Sequence, residues 1–440
     1  MSELNTHVPG NGRCQNTGVR TLNNEREVKF MKGRRTLALL AVVSLVLAIS
    51  GCGSGSATPP PSQDEVIKIG AVGPLSPPGS VAAGAELKNA MEIAIDEINE
   101  QGGILGKKLQ LVFEDSQGTP EKGVSVMEKL ITKDQVIIVT GEAHSSAAKA
   151  EMEVAHRYGI PFVISEAWSD ELTLRGYREV FRIAPNNKAF SEKVREFVEA
   201  NGFQRVAAIV EDTDFGIGSM DLIESELRAL GLEHKVMIVD RTSLDFVPQL
   251  IQLQEFGPDL FVHFVTGAGS FLLVKQAYEI GLSPTSKTAM FMAGMDATFP
   301  EFWPNVGEAG RYVVFQSPYH AKAKFTDLTE PFVRKYEARF NRTPTYVALA
   351  GYDSILVIAE AIKAAESTDP QKIIEALEVI SVTGVRGIME FPTDKGLGVW
   401  YHNADSPMLF LQYTEVNQAV EDAVIVYPAD VATANMQSPE

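Results

Sequence analysis

The sequence predicts an α/β protein built as two doubly wound lobes, each a parallel sheet covered by helices. Two observations carry this. Short apolar runs alternate along the chain with segments whose apolar residues recur at helical spacing, and strands alternating with such helices form parallel sheets buried on both faces. The alternation also runs twice, with a break at FRIAPNN, residues 181–187, which implies two lobes rather than one. A chain of 440 residues, 45% hydrophobic and 22% charged, is large enough for two such cores.

Taken in order, VIKIGAVGPL from Val66 is an apolar strand that breaks at Gly73-Pro74. In ELKNAMEIAIDEINEQGG, Leu87, Met91, Ala94, Ile95 and Ile98 fall on one helical face, and Gly102-Gly103 supplies the stop. Strand KLQLVFED, a helix over 121–132, strand VIIVT, a helix over 145–158 and strand PFVIS complete the first series. The second series has helix FSEKVREFVEA, strand RVAAIV, helix GSMDLIESELRAL, strand DLFVHF and helix SFLLVKQAYEI. After VVFQSPYH, residues 313–320, the pattern turns helical in FTDLTEPFVRKYEARF and TYVALAGYDSILVIAEAIKAA. The tail, 427–440, is small and polar and is expected to fray.

The segment MKGRRTLALLAVVSLVLAISGC begins at Met31. Lys32, Arg34 and Arg35 form a basic start, and 36–49 is an apolar run of 14 residues. That is too short to span a bilayer comfortably and fits a signal-peptide core. Its ending, Ile49-Ser50-Gly51-Cys52, resembles a bacterial lipobox, in which the cysteine is lipidated and becomes the mature N-terminus. The alternative is an ordinary secretory signal with a coincidental cysteine. On this reading Met31 is the true start, 1–30 is a non-native upstream extension and 31–51 is a lipoprotein signal peptide. Cleavage before Cys52 also removes Cys14, so the mature domain has no disulfide and relies on its core. Residues 52–65, rich in Gly, Ser and Pro, read as lipid anchor and flexible tether.

The net charge of -18 argues against nucleic acid, whose phosphates need basic patches. FGIGSM has the first two glycines of a dinucleotide fingerprint and lacks the third; no P-loop lysine motif, H-E-x-x-H or G-x-S-x-G occurs. The seven histidines are scattered without metal-ligand spacing. These observations point away from an enzyme, a metal site or a cofactor. GEAHSSAAKA, residues 141–150, instead places Ser145 and Ser146 at a helix start beyond the carboxyl end of VIIVT. Free N–H groups and the positive dipole end favour an anion there, and open α/β sheets bind ligands at that end. The serines serve either as caps or as ligand contacts.

IKIGAVGPLS, AIDEINEQGGILGKKLQLVFEDSQGTP, GEAHSSAAKAEMEVAHRYGIPFVISEAWSDELT, VEDTDFGIG and VALAGYDSILVIAEAIKAA together resemble the bacterial periplasmic leucine/isoleucine/valine-binding family, in order from Val66 to Tyr413. The resemblance implies a type I periplasmic binding protein: two lobes joined by three crossovers and closing over a small ligand. It places lobe one at 66–184 and 319–390, and lobe two at 185–318 and 391–426. It also implies that Ser145 holds a ligand carboxylate. Two further carboxylate contacts of the family fall on Glu166 and Trp168. An indole donates one hydrogen bond, accepts none and is bulky, so Trp168 either narrows the pocket, stacks on a flat ligand or packs in its loop. Thr266 falls where the family has a tyrosine near the ligand amine, and Asp296 where a glutamate pairs with the ammonium. A charge-assisted contact of that kind contributes about 1.5–3 kcal/mol; the alternative for Asp296 is a turn cap. Phe215 takes the place of an aromatic lining residue, as wall or core.

The function so implied is that of a lipid-anchored, exported solute-binding protein. It captures an amino acid or related small polar solute and delivers it to an ABC permease with its ATPase. It acts as a monomer in the periplasm or at the cell surface, touching the membrane through Cys52 alone. The alternatives are a sensory or regulatory receptor on the same fold, or an aromatic acid or amide as the ligand.

Overall fold

The computed structural model describes residues 66–320 and 325–440. The first series consists of β1 (Val66–Gly73), α1 (Val81–Glu100), β2 (Lys108–Asp115), α2 (Pro120–Thr132), β3 (Val139–Gly141), α3 (Ser145–Tyr158), β4 (Phe162–Ile164), α4 (Glu171–Leu174) and β5 (Val180–Arg182). Its strands form an all-parallel sheet in the order β2-β1-β3-β4-β5. α1 buries the predicted stripe from Leu87 to Ile98 and stops where Gly102 and Gly103 take φ of +108° and +81°, backbone that other residues resist. β3 is shorter than its apolar run. It ends on Gly141 (φ +112°), where a Cβ would lie 2.1 Å from the Val72 carbonyl oxygen, so only glycine permits the turn into α3.

The second series runs α5 (Asn187–Asn201), β6 (Arg205–Glu211), α6 (Asp214–Ala229), β7 (Glu233–Val239), α7 (Val247–Phe256), β8 (Leu260–Phe264), α8 (Ala268–Glu279), β9 (Ala289–Met292), α9 (Phe302–Val306) and β10 (Val314–Ser317). The chain then makes α10 (Thr329–Phe340), α11 (Tyr346–Ala365), α12 (Pro370–Leu377) and a small hairpin of β11 (Ser381–Thr383) and β12 (Ile388–Glu390). It finishes with β13 (Leu409–Gln412) and β14 (Val424–Tyr427). The second sheet has the order β14-β13-β10-β9-β8-β6-β7. It is mixed rather than purely parallel, because β13 runs antiparallel to β10 and β14 antiparallel to β13. The connection 413–423 carries only a short 3₁₀ turn, and a parallel return needs a longer crossover.

Three crossovers join the lobes. The chain leaves the first sheet after β5, returns after β10 and leaves again after β12. On its return, α11 packs on α1 and α12 on α11, so Ile355, Ile358, Ile362 and Ile374 share one core with Leu87 and Met91. A second core lies among β6, β8, α7 and α8, around Phe261, Leu250 and Leu273. The first five strands of each lobe share one order, and the succession of strands across the sheet changes sense between the parallel neighbours β1 and β3 and between β6 and β8. Ligands of such sheets bind outside those switch points.

The tail does not fray. Thr433 N–H donates to the Ile425 carbonyl at 2.8 Å, and Gln412 exchanges two hydrogen bonds with the Gln437 backbone at 2.7 and 2.8 Å. Met436 packs on the core that contains Phe410 and Tyr427. A small, polar tail is held here because the edge of β14 and a buried glutamine offer it partners. Among the described residues no helix is long and apolar enough to cross a membrane. Cys14, the signal segment 31–51, Cys52 and the tether 53–65 lie outside the described residues.

Candidate ligand site between the lobes

The loops at the two switch points face each other across a small cavity of about 20 Å³, room for about one water. In lobe one, Glu142 takes a left-handed φ of +59°, strained for a residue with a Cβ. Its Oε1 offsets the strain by accepting the N–H groups of Ala143 and His144 at 2.9 and 2.8 Å. Glu142 therefore holds its own loop and does not line the cavity. His144 does, with Nε2 accepting the Ser80 N–H at 2.9 Å. Burial, reinforced by the nearby Arg241 guanidinium, holds the imidazole well below its usual pKa, so it is neutral.

Ser145 is the first residue of α3, and His144 stands at the cap position. The Ser145 hydroxyl accepts the N–H groups of Trp168 and Ser169 at 3.2 and 3.1 Å. It ties the loop after β4 to the helix and does not line the cavity. Ser146 reaches across to lobe two, accepting the Asp214 N–H at 3.1 Å, and lines an outer crevice instead. The loop after β4 is clamped from below by the fully buried Arg182. Its guanidinium donates to the Trp168 and Ser169 carbonyls at 3.2 and 2.7 Å, and to Thr173 and Asn403.

That loop carries Glu166 and Trp168 into the cavity wall. Trp168 is buried, edge-on to Phe190 at 5.6 Å and to Phe215 at 6.4 Å, so its ring serves the lobe-two core and the cavity at once. Glu166 is buried with neither carboxyl oxygen in a formed hydrogen bond. Burial pushes it up to about 8; the Arg386 guanidinium, 3.6 Å away, and the Trp168 indole offset only part of that. At neutral pH it is a neutral carboxyl.

Lobe two supplies the opposite wall. Glu211, at the end of β6, accepts the N–H and O–H of Thr266 at 2.9 and 2.8 Å. With its proton so engaged, Thr266 presents an acceptor to the cavity. Asp296 Oδ1 accepts the Gly267 N–H at 3.1 Å while Oδ2 has no partner. Burial pushes its carboxyl up to about 7, and the nearby Glu211 adds to the effect. Asp296 lines the larger cleft of about 650 Å³ next door, and Thr266 lines both spaces. Gln316, in β10, donates from Nε2 to the Tyr346 hydroxyl at 3.1 Å and leaves Oε1 unpartnered.

Residues 66–417 match a family model described as periplasmic binding protein. The chain belongs to that family. As a periplasmic binding protein it is a binding protein rather than an enzyme. It is 26% identical over 418 residues to the Leu/Ile/Val-binding protein homolog 7 of Brucella abortus, covering 90% of this chain and 99% of the relative. Its fold matches the branched-chain amino acid transporter substrate binding protein LivJ from Streptococcus pneumoniae, solved with isoleucine, at a TM-score of 0.73 and 23% identity; the match covers 83% of this chain and 100% of LivJ. A solute binding protein from R. palustris, solved with 4-hydroxybenzoate, matches at a TM-score of 0.73 and 19% identity, covering 85% of this chain and 98% of that one.

In this periplasmic binding protein the structure brings Glu166, Trp168, Phe215 and Thr266 to one cavity, sets Asp296 beside it, and turns Ser145 and Ser146 to the loop and to the other lobe. Sequence reasoning missed Gln316 and Tyr346 as cavity residues, and Arg241. The first two had a signal: a glutamine inside the apolar run VVFQS, and a tyrosine opening an almost wholly apolar helix. Arg241 lies after β7, a partly exposed edge strand whose mixed sequence EHKVMIV gives no clear strand pattern.

Proposed function

We propose that the protein captures a small polar solute, amino-acid-like or aromatic, between its lobes and hands it to an ABC permease with its ATPase, tethered to the membrane by lipidated Cys52. One observation carries the solute reading: both lobes contribute unpartnered buried polar atoms, on Glu166 and Gln316, to one aromatic-walled space at the switch points. Glu166, Trp168, Phe215 and Thr266 form the contact set, with Asp296 at its edge and Ser145 acting through the loop it holds. We assign lobe one to 66–184 and 319–404 and lobe two to 185–318 and 405–440, since Phe391 and Ala404 pack in the lobe-one core, Val399 accepts the Thr173 hydroxyl, and Met436 packs on the lobe-two core. About 20 Å³ is too small for an amino acid, so the lobes part for entry and, with the solute between them, close less far than in this structure.

A thermal-shift screen against amino acids, aromatic acids, amides and amines tests the reading. A ligand at 100 times Kd adds about 2.7 kcal/mol of stability, and small-angle scattering with a hit should show a change in lobe closure. No hit at millimolar concentration from folded protein defeats the proposal. For the anchor, fatty-acid labelling in a bacterial host should mark the wild type and not Cys52→Ala; unlabelled wild type refutes lipidation.

A further inference from the structure

The cavity's unsatisfied groups define a hydrogen-bond pattern that a ligand must complete. The acceptors are Gln316 Oε1, one Glu166 oxygen, Thr266 Oγ1 and, at the edge, Asp296 Oδ2. The donors are the proton of the neutral Glu166 carboxyl, the Trp168 indole N–H, which is directed toward Glu166, and the Tyr346 hydroxyl, whose oxygen already accepts from Gln316. No guanidinium or ammonium lines the space. Arg386 lies behind Glu166: its Nε and Nη2 donate to Asp353 at 3.1 Å and to the Ile183 carbonyl at 3.2 Å, and its Nη1, without a hydrogen bond, stands 3.6 Å from Glu166 Oε1 outside the cavity wall.

A carboxylate has no proton to give. It would leave the Gln316 and Thr266 acceptors bare and bring a negative charge toward the Glu211 and Asp296 carboxyls. An ammonium has no acceptor and would strand the protons of Glu166 and Tyr346. A carboxamide answers both sets. Its carbonyl accepts the Glu166 proton, one N–H returns to the other Glu166 oxygen, and the second N–H reaches an acceptor such as Gln316 Oε1. The flat group also suits walls made by Trp168 and Phe215. The geometry points to a small, neutral solute bearing a primary carboxamide or urea-type group, with Glu166 and Gln316 as the residues that select it. This inference rests on the solute-binding reading above and narrows it.

Glu166 is faced by Arg386 and the Asp353 it pairs with, by Tyr346 on α11, by His144 after β3 and by Trp168 on its own loop, while Asp296 of lobe two acts on Tyr346. As the carboxyl loses its proton above pH 8 it loses its donor, while glutamine keeps a donor beside an acceptor at every pH.

The test is calorimetry on the full protein with three matched sets: acetamide, acetate and methylamine; isobutyramide, isobutyrate and isobutylamine; benzamide, benzoate and benzylamine. At pH 6.5 the amide of the best-fitting set should bind at least tenfold tighter than its acid and amine. Glu166→Gln should keep amide binding within a few-fold and remove its decline between pH 7 and 9, whereas Glu166→Ala should lose it. An acid or amine that binds as tightly as its amide overturns the inference and leaves solute binding standing. So does closure on free amino acids with no response to any amide. Silence from every probe, amino acids included, overturns both.

Discussion

Removing Arg241 should open the clamp. Arg241 follows β7 in lobe two, yet its guanidinium Nη1 donates to the Gly118 carbonyl of lobe one at 2.7 Å. Nη2 lies 3.0 Å from both ring nitrogens of the neutral His144. A hydrogen bond from a charged donor contributes about 1.5–3 kcal/mol net. The opposite rim has its own bridge, Lys149 to Asp214 at 2.8 Å and to Glu171 at 2.6 Å. Those side chains are 27–52% exposed, and an exposed pair contributes only about 0–1 kcal/mol. The Arg241 side should therefore dominate.

Arg241→Ala lowers the closed-to-open ratio by roughly ten- to a hundredfold on that figure. Ligand affinity follows, because the closed form is the one that surrounds the solute. Small-angle scattering should give a larger radius of gyration for the ligand-free variant than for wild type, and calorimetry a weaker Kd. Lys149→Ala, the control, should stay within a few-fold. Unchanged dimensions and affinity in Arg241→Ala, or a larger effect from Lys149→Ala, would refute the assignment of the latch.

Glu166 and Asp296 have pKa values raised by burial to about 8 and about 7, so the unfolded chain binds fewer protons than the folded one and stability should fall as pH rises from about 4.5 to 8. Between pH 5.5 and 7.5 the Glu166 share is about 2.7 kcal/mol at about 1.36 kcal/mol per pH unit; urea unfolding of Glu166→Gln should lose less stability across that interval by about that amount, and identical slopes count against a neutral Glu166. Deleting 431–440 strips the buried Gln412 amide of its Gln437 partners, at a cost of about 1–3 kcal/mol. The unfolding midpoint should drop by several degrees, and an unchanged midpoint would return the tail to the frayed state its composition predicts.

The fold was legible because its evidence is local and repeated. Apolar runs bounded by glycine, and stripes such as Leu87–Met91–Ile95, declare strands and helices without reference to anything distant. β7 escaped because an edge strand faces solvent on part of its surface, so EHKVMIV mixes charges with apolar residues. β13 and β14 escaped because they are short antiparallel additions whose pairing comes from β10, far off in sequence. The docked tail follows the same logic: its partners are Ile425 and Gln412, and nothing within the tail announces them.

The site was legible only as a location. The family register sends Glu166, Trp168, Phe215 and Thr266 to the switch points, and the topology gathers them there. Their chemistry depends on what each one meets. Ser145 looks like an open anion site until the loop after β4 turns two N–H groups onto its oxygen. Thr266 looks like a free donor until its hydroxyl donates to Glu211. Glu166 looks like a negative charge that would repel an acid, but Trp168 on its own loop and Tyr346 from α11 share its enclosure. The enclosure keeps the carboxyl neutral, and a neutral carboxyl selects a different ligand from an ionised one. The bulky Trp168 acts on the acidic Glu166 in two opposed ways: the ring helps keep water out, which favours the proton, while its N–H favours the ionised form, and burial outweighs the hydrogen bond.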